Sequence, residues 1–561
     1  MKKYIISIIL SVSLPLLACA QVVEPMLQSY YHQSAPYNNS CPENTVAGCG
    51  PIAIAQILRY YGLPAHGYGN VDYLSGKNKH HIKMDLSRVA FDWDNILLDY
   101  SGSYSETEAE AVADMVFACG AAVYAQYGTA TSLSNHVKTL YGLHHHLHIS
   151  AECRYLHRKF YSTAEWIEMI DAQLRNGRPI LYRGTSMING KGYGHLFVID
   201  GLNDEGLYHV KFGKNRNRDK FVDINVLNQG EGFPGGKDVC YNVSQAMFCD
   251  LVPVTDEQDY PMQQCISEEA VILDRDSMLR EKEIGVGEDF SLSCRLRNYC
   301  DDKAKITFGW GLCGENGLER MLFTGSYNLS SGYTFVSARH CVMRLPENIS
   351  DGDYTLSIFS KSDKADEWQK AWMSAPSDVK VSVKDGKAVI TVPDNHLGHC
   401  NLYLKDEVKM LNDSVFHMVI ANETTNNFEG EIKIDVTADG ENIEYRFRQS
   451  VYSQSVQTFN VLLPKDEYDM DGRHVEKVRV SYYDEIDREF VEMGINEISG
   501  IDDAVAETKA DGNLSIYRAD GYLVREIPAG QVPHVYPRLL KSLPHGIYVV
   551  RENDRTRKIY L

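Results

Sequence analysis

The stretch AGCGPIAIAQILRYYG, residues 47–62, puts one cysteine immediately before a segment that is apolar on almost every side. Such a run reads as a helix over 50–61 buried deep in a domain, because a surface helix would keep one polar face. Gly48 lets the chain turn sharply into the helix, and Pro51 suits the first turn, where its missing N–H would have had no partner. Cys49 therefore sits at a helix N-terminus, where roughly half a positive charge favours a thiolate over a thiol. A structural cysteine beside a core helix has the same local pattern, so this segment alone leaves both readings open.

A second segment bears on the choice. In GKGYGHLFVIDG, residues 190–201, His195 follows a glycine-containing loop and opens an apolar strand. LYHVKFG, residues 207–213, reads as the return strand of a hairpin turning around Asn203–Gly206. A histidine held on a rigid sheet is what a general base requires. Its spacing from Cys49 falls within the loose window for Cys and His partners in papain-like enzymes. Pairing the two would activate Cys49, and the Cys49 backbone N–H would help to hold a tetrahedral oxyanion. The loop from Gly184 to Gly194 lacks the strand–loop–helix context of a phosphate loop and reads as a substrate-cleft loop, with Gly194 open to a peptide backbone. Gln33 lies upstream of the nucleophile, where papain-like enzymes often place an oxyanion glutamine.

Several ordered segments between about residues 25 and 253 resemble the streptopain-like cysteine peptidases, including multidomain members from oral and gut Bacteroidetes. They are HQSAPYNNSCP (32–42), GC followed by AQILRYYGLP (48–64), FDWDNIL (91–97), GHLFVIDG (194–201) and LYHV (207–210). The resemblance implies a papain-like α+β catalytic domain, with Cys49 as nucleophile, His195 as its base, and a protein or peptide substrate. It implies no cofactor. In the family an Asn-Trp-Gly-Trp-Gly-Gly tract follows the histidine hairpin and orients the imidazole. Here the same place reads Lys211-Phe212-Gly213-Lys214-Asn215-Arg216, so the orienting positions Lys211 and Phe212 are altered. A cation at Lys211 pointing inward would lower the histidine pKa and disfavour a thiolate–imidazolium pair. Gly50-Pro51 likewise replaces small or β-branched residues after the cysteine. Because the catalytic match starts just past the leader, the long N-terminal propeptide of streptopain is not expected.

Composition bounds the rest. A chain of 561 residues with 44% hydrophobic content has the length of about three or four domains. The formal charge of −20 argues against nucleic acid as a partner. The leader MKKYIISIILSVSLPLLACA, residues 1–20, has the two lysines, apolar run and small residues of an export signal. Cleavage after Ala20 and acylation of Cys19 are both open, so a secreted or surface location is expected, with a lipid anchor at Cys19 as the alternative. No later apolar run is long enough to span a bilayer. Of the 13 cysteines, Cys294, Cys300, Cys313 and Cys341 are near enough in sequence for one or two pairs. His144–His148 and His80-His81 lack metal-ligand spacing and read as a solvated strand edge, so no metal site is expected.

The character of the chain changes near residue 254. Residues 21–253 mix helical patterns at 50–61, 106–119 and 163–176 with strand-like runs, whereas the later sequence alternates apolar and polar residues between Gly, Asn and Asp turns. Two immunoglobulin-like β-sandwich domains are expected at 254–377 and 378–500, with a seam near Pro376, and then a small β domain at 501–561. The last resembles the C-terminal sorting domains of such bacteria and implies surface delivery. Three functions fit these features. One is an exported cysteine endopeptidase working through an acyl-enzyme. A second is a catalytically weakened papain-fold module for binding or adhesion at the cell surface. A third is a leader peptidase of the kind found in bacteriocin exporters, which CGPxxxAxxLxYYG also resembles.

Overall fold

The computed structural model describes residues 22–497, apart from 77–79, 189–190, 215–218, 234–236, 256–264, 300–301, 335–337, 364, 413–414 and 464–472, together with four strands near the C-terminus. The leader with Cys19, and Cys300, lie outside the described residues. The chain divides into a unit Met1–Ile498 and a unit Ser499–Leu561.

Four α-helices build the first domain. Helix α1 (Cys49–Tyr61) ends where Gly62 turns left-handed and its N–H reaches the Leu58 carbonyl at 2.8 Å. Helices α2 (Glu106–Ala122) and α4 (Thr163–Arg175) each open with a capping box, Ser105 with Glu108 and Ser162 with Glu165. In each, serine and glutamate reciprocally satisfy N–H groups that a helix start leaves unpaired. Helix α3 (His136–His145) is capped by Asn135.

The helices enclose an antiparallel six-stranded sheet in the order Arg154–His157, Val243–Cys249, Ile180–Ile188, Lys191–Leu202, Tyr208–Lys211, Lys220–Val222. Alternation along the strand Lys191–Leu202 decides which layer meets which. Leu196 and Val198 pack with Ile52, Ile54, Val112 and Val116 of α1 and α2, while Phe197 and Ile199 pack with Trp166, Ile170 and Leu174 of α4. Each such side chain contributes about 1.5–3 kcal/mol when fully buried, and a one-residue slip would turn both sets the wrong way. The sheet thus has one possible register, and His195 is locked into it opposite Gly184.

Two expectations need correction here. The histidine run is not a solvated strand edge. It closes α3, whose Val137, Leu140 and Leu143 enter the core, and His144, His146 and His148 are all buried. His144 Nδ1 lies 2.7 Å from the Tyr299 hydroxyl and its ring is 4.5 Å from that of Trp372. The polar histidines concealed the helical period of the apolar residues between them. The seam near Pro376 also moves. The hairpin of Val379–Lys384 and Lys387–Thr391 belongs to the middle domain, where it pairs with Gly352–Ser362 on one side and Glu281–Gly285 on the other. That domain therefore runs on to Thr391.

The middle domain stacks this large sheet on smaller ones, with Phe290 and Leu292 meeting Phe308, Trp310 and Val381. Of its cysteines near enough in sequence to pair, the described Cys294, Cys313 and Cys341 are thiols, and Cys294 and Cys341 approach to 4.0 Å. The following domain has two four-stranded sheets whose inner faces, Phe416, Met418 and Ile420 against Ile432, Ile434 and Val436, share one core. In the C-terminal unit the strands order as Leu523–Ile527, Leu514–Arg518, Ile547–Glu552, Arg555–Tyr560.

A buried arginine fastens the third domain to the first. Arg158 is 0% exposed; Nη1 donates to Gln245 Oε1 at 2.5 Å and to the Ile224 carbonyl at 3.1 Å, and Nη2 donates to Asn225 Oδ1 at 2.5 Å. Its guanidinium lies 3.7 Å from the ring centre of Tyr452, whose hydroxyl donates to the Asn242 carbonyl. The Ile224 carbonyl and Gln245 Oε1 also accept from Gln245 Nε2 and the Tyr182 hydroxyl, so removing the cation costs its charged hydrogen bonds, the Asn225 Oδ1 bond above all, and the contact with Tyr452. Arg158→Met is expected to lower the unfolding free energy by about 3 kcal/mol or more, read as a shift in the urea midpoint. An unchanged midpoint would show that the clamp adds nothing.

Candidate active site

Gly48, with φ of 96°, occupies backbone space that an L side chain rarely enters, and a Cβ there would lie 2.8 Å from Ser132 Cβ. That glycine lets Cys49 become the first residue of α1. The Sγ of Cys49 is half-buried and lies 3.5 Å from the donating N–H of Leu196, the residue after His195. The backbone N–H groups of Cys49 and Gly50 also point at the sulfur.

His195 is 6% exposed, and its Nε2 lies 2.8 Å from the carbonyl oxygen of Phe212. A carbonyl can only accept, so Nε2 carries the proton and Nδ1 keeps its lone pair. Tyr241 stacks on the imidazole at 5.0 Å and Phe197 lies 5.8 Å away. The turn bearing the Phe212 carbonyl is itself held down. Gly213 takes φ of 65°, and a Cβ there would lie 3.2 Å from Ile52 Cγ2 in the first turns of α1.

The other residues singled out from sequence fall as follows. A Cβ at Gly194 would meet nothing within 4 Å, so that position faces open space beside His195. The Gln33 carbonyl accepts from the Ala47 N–H at 3.1 Å, which brings the strand of chain carrying Gln33 alongside the approach to Cys49. Phe212 supplies the histidine's partner through its backbone, a role independent of its side chain. Lys211 has a different neighbour from the one expected. It is 1% exposed, pairs with Asp219 at 2.9 Å and lies over the Tyr30 ring at 4.0 Å. The cation whose field reaches the site is Lys214. Lys211 is turned to Asp219, and the charge felt at His195 is that of Lys214, on the other side of the turn at Gly213.

Burial dominates the titration of both groups. It pushes the Cys49 thiol up, against the lowering effect of the backbone N–H groups and of Lys214. It pulls His195 down to about 3, with the Lys214 charge acting in the same direction and the Phe212 hydrogen bond opposing. The resting pair is a neutral thiol and a neutral imidazole. Since the folded histidine binds its proton only near pH 3 and the unfolded one already near 6.5, its contribution to stability is complete above about pH 6.5 and is lost as pH falls toward 3.

The first domain is similar to known cysteine peptidases. The model of the Peptidase C10 family matches residues 31–221. Streptopain of Streptococcus pyogenes is 26% identical over 261 residues, which cover 42% of this chain and 65% of streptopain. The thiol protease/hemagglutinin PrtT of Porphyromonas gingivalis is 21% identical over 447 residues, 73% of this chain and 48% of PrtT. The solved structure of active wild-type interpain A, a cysteine protease of Prevotella intermedia, is 31% identical and is matched over 95% of its length and 41% of this chain, with a TM-score of 0.38. The chain belongs to the Peptidase C10 family, the streptopain-like cysteine peptidases. It spans just under two thirds of the streptopain that it matches.

A neutral resting pair has a kinetic signature. Alkylation of Cys49 by iodoacetamide is expected to be slow at pH 5–6 and to climb steadily into the alkaline range, as for a thiol with a raised pKa. A rate already on a plateau at pH 5 would mean a preformed thiolate–imidazolium pair.

Proposed function

We propose that this protein is an exported cysteine endopeptidase acting through Cys49 and His195. The observation that carries the reading is a thiol at a helix N-terminus 3.5 Å from the N–H of Leu196, the residue that follows His195, whose Nε2 proton is committed to the Phe212 carbonyl. With that proton committed, Nδ1 is the free base. In this mechanism Nδ1 takes the thiol proton as Sγ attacks the peptide carbonyl, so the ion pair forms during attack rather than before it. The developing oxyanion is held by the Cys49 N–H and the side-chain amide of Gln33. The imidazolium then gives its proton to the departing amine, leaving a thioester. A water molecule, deprotonated by Nδ1, hydrolyses the thioester and restores the thiol. Gly194 leaves room for the substrate backbone beside the base.

The leader supports export, and the C-terminal unit is read as a surface-delivery domain. Among the described residues no helix is long and apolar enough to cross a membrane. The β-domains, taken as immunoglobulin-like sandwiches, serve as supports fastened to the catalytic domain, the third through Arg158 and Tyr452 and the middle one through His144, Tyr299 and Trp372. A second reading, a weakened papain-fold module that binds at the surface, draws on the neutral resting pair and on the likeness to PrtT, which extends well beyond the catalytic domain.

Cys49→Ala and His195→Ala are each expected to lower kcat/KM on a protein substrate by about 10³-fold or more while leaving circular dichroism unchanged. Labelling by an epoxide thiol inhibitor should vanish in Cys49→Ala. Wild-type protein that neither cleaves casein nor takes the label would favour the binding module.

A further inference from the structure

The turn after the histidine hairpin carries a lysine that the mechanism does not consume. Lys214 stands two residues beyond the carbonyl that anchors His195, on the far side of Gly213, whose Cα approaches Ile52 of α1. It is exposed, and its Nζ donates to Gln229 Oε1 at 3.3 Å. The same oxygen accepts from the Tyr241 hydroxyl at 3.1 Å, and the Tyr241 ring is the one stacked on His195. Lysine, glutamine, tyrosine and imidazole therefore form one continuous chain of contacts from the exposed Lys214 inward to the buried His195.

Gln229 itself is 2% exposed, and its Nε2 has no acceptor among the described residues. A buried amide donor left without an acceptor costs free energy that an incoming acceptor would recover. The positive charge registers on both Cys49 and His195, which places it within electrostatic reach of the two reacting side chains. A cation backed by a neighbouring unsatisfied amide is suited to a carboxylate, which accepts from both.

We propose that Lys214, backed by Gln229, forms a subsite that selects peptides with an aspartate or glutamate side chain flanking the scissile bond. The inference rests on the peptidase reading above. The opposite outcome, a bias toward basic peptides, is what the overall charge of −20 would impose if long-range attraction decided selection. A contact at the rim acts at shorter range and outweighs it.

The test is cleavage of a mixed peptide library by the full-length protein, read by mass spectrometry, followed by matched peptides with Glu, Gln or Lys at the favoured flanking position. Wild type is expected to prefer Glu over Lys there by about tenfold in kcat/KM. Lys214→Glu is expected to reverse that ratio, whatever it does to the absolute rate, and 0.5 M salt is expected to shrink it. Cleavage with no acidic preference, or a ratio unmoved by Lys214→Glu, would overturn the subsite and leave the dyad intact. Absence of both cleavage and epoxide labelling in wild type would overturn the peptidase reading and the subsite with it.

Discussion

The hydrogen bond from His195 Nε2 to the Phe212 carbonyl is the contact on which the site depends. It assigns the tautomer, aims the lone pair of Nδ1 and ties the hairpin strand to the turn that covers the start of α1. A backbone carbonyl is a robust partner, because any residue at position 212 supplies it if the turn keeps its shape. Departure from the family's Asn-Trp-Gly-Trp pattern therefore changes what surrounds the imidazole without removing what orients it. The requirement moves to Gly213, whose positive φ and close approach to Ile52 leave little room for a side chain.

Burial and positive charge compete over the dyad. Lys214 favours a thiolate at Cys49 and disfavours an imidazolium at His195, so it strengthens one half of an ion pair and weakens the other. Desolvation opposes charge on both groups and is the larger effect. Coulomb attraction between the two would repay that penalty only as charge develops on bound substrate, when the oxyanion donors share the load. In the proposed mechanism such a site stays chemically quiet at rest and acts on a carbonyl presented to it.

The β-domains are more than appendages strung behind a catalytic core. Arg158 gathers acceptors from Ile224, Asn225 and Gln245 of the first domain under the Tyr452 ring of the third, and Gln457 of that domain donates to the Asn225 carbonyl at 3.0 Å. The segment held in this way leads directly to Gln229 and so to the chain of contacts that ends at His195. On the other flank, His144 and the rings of Tyr299 and Trp372 join α3 to the middle domain. These contacts lie within the unit that ends at Ile498.

Local signals decide much of this protein before it folds. The unbroken apolar run after Cys49 reads as a buried helix, the continuous apolar run in HLFVIDG reads as a strand buried on both faces, and both are where the sequence puts them. Helices α2 and α4 are equally legible, from apolar spacing and from capping boxes that need only four consecutive residues. Helix α3 was obscured because its histidines are polar by type but buried in fact, sheltered by a domain more than a hundred residues later in the chain. The hairpin 379–391 looked like the start of a new domain because strand partners are chosen across the sheet and not along the chain. At the site, residue types and spacing were enough to single out Cys49 and His195, whereas the Phe212 carbonyl carries no sequence signal at all, since every residue has one. Which of Lys211 and Lys214 brings its charge to bear on His195 depends on the left-handed glycine between them, a backbone choice made only when the turn packs against Ile52.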